Sequence, residues 1–138
     1  MPAKDLYHDI VRRSLEKDGW IITDDPLKLK IGLRELFVDL GAKQLLAAQK
    51  EEYKIAVEIK SFIGLSPVAD LENALGQFTL YSDILEELDP DRVLYLAVRQ
   101  EIFDGIFEEA IGKILLKKGR LRLLVFHAKK EEIIQWIP

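Results

Sequence analysis

The chain has 138 residues, 24 acids against 20 bases for a net charge of −4, and no cysteine. That length suits one domain able to bury roughly two-thirds of its unfolded surface, and 49% apolar with 32% charged residues describe a foldable protein rather than a disordered tail. Disulfide frameworks, thiolate zinc sites and thiol nucleophiles are excluded, and uniform coating of nucleic acid by positive charge is argued against.

The first element in chain order is a helix over Asp5 to Lys17, with Leu6, Tyr7, Ile10, Val11 and Leu15 at helical spacing. Gly19 stands where a helix terminus favours glycine. Trp20 to Thr23 reads as a short strand, Asp24-Asp25-Pro26 as a turn, Leu27 to Ile31 as a further extended segment, and Glu35 to Leu40 as a strand. Lys50-Glu51-Glu52 marks a polar turn before a strand over Tyr53 to Phe62. Ser66-Pro67 is a helix start, serine as N-cap and proline at the first helical position, and the helix runs to about Glu87. After the turn Asp89-Pro90-Asp91 come a buried-type strand, Arg92 to Val98, and a helix from about Phe103 to Lys117, broken by Gly119. Leu121 to Phe126 and Ile133 to Ile137 close the chain as strands. The pattern predicts one mixed, three-layer α/β domain over residues 1–138. Met1 to Asp9 holds no apolar stretch of a secretory signal, and runs such as Leu123 to Phe126 are too short to cross a bilayer, so a cytoplasmic protein with no membrane partner is expected.

The strand Tyr53 to Phe62 carries Glu58 and Lys60 inside an apolar run. Alternation puts both on one face, roughly 7 Å apart, with Ile55, Val57 and Ile59 on the other. A strand covered on both faces should avoid charges mid-run, so the pair needs a partner. Asp39, which interrupts Leu36 to Leu40, is the candidate. The alternative is an ion-paired or solvated strand face.

Asp39 followed by Glu58-Ile59-Lys60 resembles the PD-(D/E)xK nuclease signature, with Val38 in place of the proline. The resemblance implies Asp39 and Glu58 as ligands of Mg²⁺ or Mn²⁺, and Lys60 as the residue that positions or activates water and steadies phosphate charge. The residue types suit that chemistry. A hard cation wants oxygen ligands and keeps several waters, and it lowers a water's pKa while offsetting phosphoryl charge. Gln77 and Tyr81, four apart on one helix face, resemble the Gln-x-x-x-Tyr motif of the exonuclease branch, which implies Gln77 beside the catalytic lysine and Tyr81 near substrate. Without that motif, Tyr81 is a core aromatic and Gln77 faces solvent. Glu16 has Arg12 and Arg13 within a turn, and an exposed ion pair is expected there. His8 is expected on the helix surface and His127 at the end of a strand.

Read whole, the chain is similar to the fdxN-element excision controlling factor XisH family, common in cyanobacteria. Asp5 to Asp9, Asp18-Gly-Trp20, Ile22 to Pro26, Phe37 to Ala42, Ile55 to Phe62, Leu71 to Tyr81, Tyr95 to Val98 and Ile134 to Pro138 carry the similarity. It implies a restriction-endonuclease-like fold, a mixed sheet flanked by helices. It also implies a part in excising a DNA element during heterocyst differentiation, with a site-specific recombinase and a companion protein, XisI. Three functions are weighed: a metal-dependent endonuclease that cuts DNA phosphodiester bonds, a non-catalytic DNA- or protein-binding accessory factor, or, more crudely, a structural or oligomerising α/β protein with a vestigial site. A homo-oligomer is left open.

The charge is unevenly spread. Residues 83–109 hold 2 bases and 9 acids, whereas residues 110–130 hold 7 bases and no acid. Lys117, Lys118, Arg120 and Arg122 in the basic block are candidate phosphate contacts, against the alternative of a solvated helix end.

Overall fold

The computed structural model describes residues 4–46 and 51–138. Its centre is a six-stranded mixed sheet in the order β1-β4-β5-β6-β7-β8. These strands are β1 (Ile21–Asp24), β4 (Leu40–Leu46), β5 (Glu51–Ile59), β6 (Arg92–Arg99), β7 (Leu123–His127) and β8 (Glu132–Ile137). β5, β6 and β7 run parallel, and the outer pairs are antiparallel. A separate two-stranded hairpin joins β2 (Leu27–Ile31) to β3 (Arg34–Val38).

Strand alternation explains the layers. Ile55, Val57 and Ile59 of β5, with Leu124 and Phe126 of β7, pack on Val11 and Leu15 of helix α1 (His8–Lys17). Ala56, with Leu94, Leu96 and Val98 of β6, faces helix α2 (Pro67–Leu88) through Leu71, Ala74, Phe78 and Leu85. The hairpin adds Leu27, Leu29 and Val38 to that second core. The Ser66 hydroxyl caps α2 by accepting from the Ala69 amide at 3.2 Å, and Pro67 is the first helical residue. Gly19 ends the turn after α1 with φ 88°, a left-handed conformation that glycine adopts without steric cost.

Four expectations are corrected. The segment Glu35 to Leu40 is not one strand: β3 ends at Val38, the chain turns at Asp39, and β4 begins at Leu40 in the other sheet. β4 itself was not foreseen, because Leu40-Gly-Ala-Lys-Gln-Leu-Leu46 is poor in β formers. It is recruited by its antiparallel pairing with β5, Leu40 opposite Val57 through Leu46 opposite Glu51. The helix expected over Phe103 to Lys117 is two, α3 (Gln100–Asp104) and α4 (Ala110–Lys117), because Ile106 and Phe107 leave the helical path to enter the core. His8 is not on the surface: it is 3% exposed, and its Nε2 donates to the Asp25 carboxylate at 2.7 Å. Of the polar turn at Lys50-Glu51-Glu52, Lys50 lies outside the described residues and the other two open β5.

Candidate active site

The turn at Asp39 is built by its own functional group. Its carboxylate accepts from the Ile59 amide at 2.8 Å, and its amide donates to the Glu58 carboxylate at 3.2 Å. These two bonds replace ladder hydrogen bonds where the chain steps from hairpin to sheet, and they bring two acids into contact. Glu58 lies on the α2 face of β5 and is 6% exposed. Burial, then the Asp39 carboxylate beside it, push its carboxyl up to about 9, with Lys60 pulling the other way. Lys60 follows the last residue of β5, and its amide still donates to the Ala97 carbonyl of β6 at 3.1 Å. The strand's exit is held by Arg99, whose guanidinium donates to the Ser61 carbonyl and lies 5.1 Å from the centre of the Tyr7 ring.

α2 covers this face. Gln77 and Tyr81 line one cavity of about 200 Å³ together with Asp5, Phe37, Asp39, Glu58, Ile59 and Lys60. The Gln77 Oε1 is buried with no hydrogen-bond partner. The Tyr81 phenol is raised by burial, then by the Glu58 and Asp39 carboxylates. The acid, acid, lysine, glutamine and tyrosine expected from sequence therefore meet in one place. Asp5 and Phe37 were missed. Phe37 stands two residues before Asp39, a period-2 signal that the sequence does carry. Asp5 is recognisable locally only as a turn residue, since its carboxylate accepts from the Tyr7 amide at 2.9 Å.

The basic candidates lie elsewhere. Lys117 ends α4 and Lys118 and Arg120 follow it, all exposed, while Arg122 lines a separate hollow with Ser82, Glu86, Pro90 and Arg92. None of the four lines the acidic cavity. Glu16 pairs with Arg12 at 3.8 Å on the surface of α1, as expected.

The donor set fits a hard divalent cation. Asp39 and Glu58 offer only carboxylate oxygens, and their mutual repulsion is what such an ion relieves. Among the described residues no group of three or more His, Cys, Asp or Glu side chains could hold a metal ion. The protein would thus supply two ligands, and water or substrate the rest, which is how Mg²⁺ is commonly held.

The fold and site define a mixed α/β protein with two acids and a lysine gathered under a helix at the end of a central parallel strand. A family model of the XisH protein matches residues 1–134, and the chain belongs to that family. It is similar to the crystal structure of an XisH family protein from Nostoc punctiforme, with 36% identity, a TM-score of 0.87, and coverage of 97% of this chain and 100% of that one. It is equally similar to the structure of an fdxN element excision controlling factor protein from Anabaena variabilis, at 38% identity and a TM-score of 0.86, covering 98% and 100%. No curated protein matches the chain. Among the described residues no helix is long and apolar enough to cross a membrane.

Proposed function

We propose that this protein is a metal-dependent DNA phosphodiesterase of PD-(D/E)xK type that acts in the excision of a DNA element. The observation that carries this reading is the meeting of Asp39, Glu58, Lys60, Gln77 and Tyr81, from three separate segments, around one small cavity. Asp39 and Glu58 would hold Mg²⁺ or Mn²⁺, which when bound supplies an activated water and offsets charge growing on the phosphate. Lys60 lines the same cavity, and its ammonium would there orient the nucleophile and stabilise the phosphate oxygens. Gln77 brings an unpaired buried amide oxygen, free to orient Lys60 or a water. Tyr81 bounds the cavity toward α2. The name of the Anabaena relative, an fdxN element excision controlling factor, supports a role in excision. A site-specific recombinase and a XisI-like companion are the partners proposed for that role. The alternative is a non-catalytic accessory factor, favoured by the lack of a third acidic ligand among the described residues.

The test is cleavage of supercoiled plasmid and branched DNA in Mg²⁺ or Mn²⁺ by the native chain, Asp39→Asn and Lys60→Ala. Both variants are expected to lose at least about 100-fold in rate, the usual cost of removing one strong transition-state contact. Equal rates in all three would assign the activity to another source. As a second readout, Mg²⁺ at ten times its dissociation constant should stabilise the native chain by about 1.4 kcal/mol and leave Asp39→Asn unmoved.

A further inference from the structure

The β2–β3 hairpin stands apart from the main sheet, and its two faces differ in kind. In the register, Leu27 pairs with Val38 and Leu29 with Leu36, and this face packs into the α2 core. On the opposite face Lys28 pairs with Phe37 and Lys30 with Glu35. Phe37 lines the acidic cavity, so this outer face borders the candidate site. Lys28 and Lys30 are exposed, and Lys28 makes only a loose pair with Glu35 at 3.7 Å between half-exposed side chains.

The tip is unusual as well. Gly32-Leu33 is a two-residue turn with Gly32 at φ 59°, the positive φ that such hairpin turns require. Leu33 is 105% exposed, and Arg34 beside it is exposed too. An apolar side chain held wholly in water at the end of an arm adds nothing to the core. Residues 27–38 carry Lys28, Lys30 and Arg34 against Glu35, a net charge of +2 on a chain of −4. From Val38, next to Asp39, to Leu33 the arm spans about 17 Å. A B-DNA major groove is about 12 Å wide and admits a two-stranded β-ribbon.

We infer that the β2–β3 hairpin is a DNA-binding arm: with a duplex phosphate at the acidic cavity, Lys28 and Lys30 contact the backbone beyond it and Leu33 enters the adjoining groove. The inference rests on the nuclease reading for the placement of the duplex but not on cleavage itself. Positive charge on an arm bordering the site complements a polyanion, and an apolar tip suits contact with base edges or steps. The basic block around Lys117 to Arg122, away from the cavity, is not needed for this contact.

The experiment measures anisotropy of a fluorescently labelled duplex oligonucleotide in Ca²⁺ buffer across a salt series, for the native chain, Lys28→Ala/Lys30→Ala and Leu33→Ser. All substituted side chains are exposed, and circular dichroism checks that the variants fold. The double variant is expected to bind about 50-fold more weakly near 0.1 M salt, with a log–log salt slope smaller by about two. Leu33→Ser is expected to weaken binding severalfold with the slope unchanged. Native-like affinity and slope in the double variant overturn the arm, as does a native chain that binds no duplex. Native-like affinity of Leu33→Ser overturns the role of the tip. Arm-dependent binding by a chain that cuts nothing would uphold the arm and sink the nuclease reading; cutting that ignores the arm would do the reverse.

Discussion

Glu58 shows what the site costs the fold. A carboxyl buried beside a second carboxylate is held in its neutral form by its surroundings, and near neutral pH the part of that rise lying below the solution pH is stability the folded chain forgoes. Gln keeps the shape and the oxygen that accepts from the Asp39 amide. Glu58→Gln is therefore expected to raise stability by about 1–2 kcal/mol in metal-free buffer while abolishing metal-dependent cleavage. Urea denaturation and the plasmid assay together check this, and a destabilised variant would contradict it. At this scale much was legible. The period of two along β5 by itself puts Glu58 and Lys60 on one face. The two hydrogen bonds that lock Asp39 to Glu58 and Ile59 were not, since they join residues nearly twenty apart. Nor was His8, whose ring meets the Asp25 carboxylate of the following turn, a carboxylate that Arg12 of the same helix also holds.

Two glycines separate local preference from tertiary demand. Gly112 lies in the first turn of α4, and a Cβ there would collide with the Ile106 carbonyl and lie 2.6 Å from the Phe107 Cα, backbone atoms that cannot swing aside. Gly112→Ala is expected to cost about 2 kcal/mol or more. Gly76 lies inside α2 with open space around its Cβ position, and Gly76→Ala should add about 0.5–1 kcal/mol. Denaturant midpoints of the two variants should move in opposite directions, and a shared direction would refute the packing account. The same close approach marks where the helix expected over Phe103 to Lys117 is broken into two. Ile106 and Phe107 drop into the core, and α4 begins against their backbone. α2 needed no such correction at its start, because Ser66 and Pro67 specify that end locally.

The parallel core is tied at its far end from the site by one ionic cluster. Asp89, in the turn after α2, accepts from Lys54 of β5 at 2.7 Å and from Arg92 of β6 at 3.1 Å. Arg92 also donates to the Ile55 carbonyl at 2.9 Å. The Lys54 hydrogen bond, then that of Arg92, hold the Asp89 carboxyl below its ordinary range against the opposing effect of burial. A carboxyl whose folded value lies below its unfolded one stabilises the fold above the usual carboxylate pKa, and the gain disappears as pH falls through the lowered folded value. Asp89→Asn should thus be less stable than the native chain at neutral pH and decline less steeply into acid. Urea midpoints measured from neutral to strongly acidic pH check this, and parallel declines would reject the assignment.

The chain by itself determined its elements wherever the signal is local: the capped start of α2, the alternating faces of β5, the glycine after α1 and the acid-x-lysine pair. Short-range hydrogen bonds and side-chain periodicity decide such features within a few residues. It also carried enough pattern along its length to mark its family. Only the tertiary structure decided that Leu40–Leu46 is a strand, that Asp39 is a turn and not a strand interior, and that Asp5 and Phe37 border the cavity. It also separated the basic block from the acids and set the β2–β3 hairpin beside them. Those outcomes depend on which surfaces meet across the sheet, and burial and long-range pairing outweigh the weak intrinsic preferences of the residues involved.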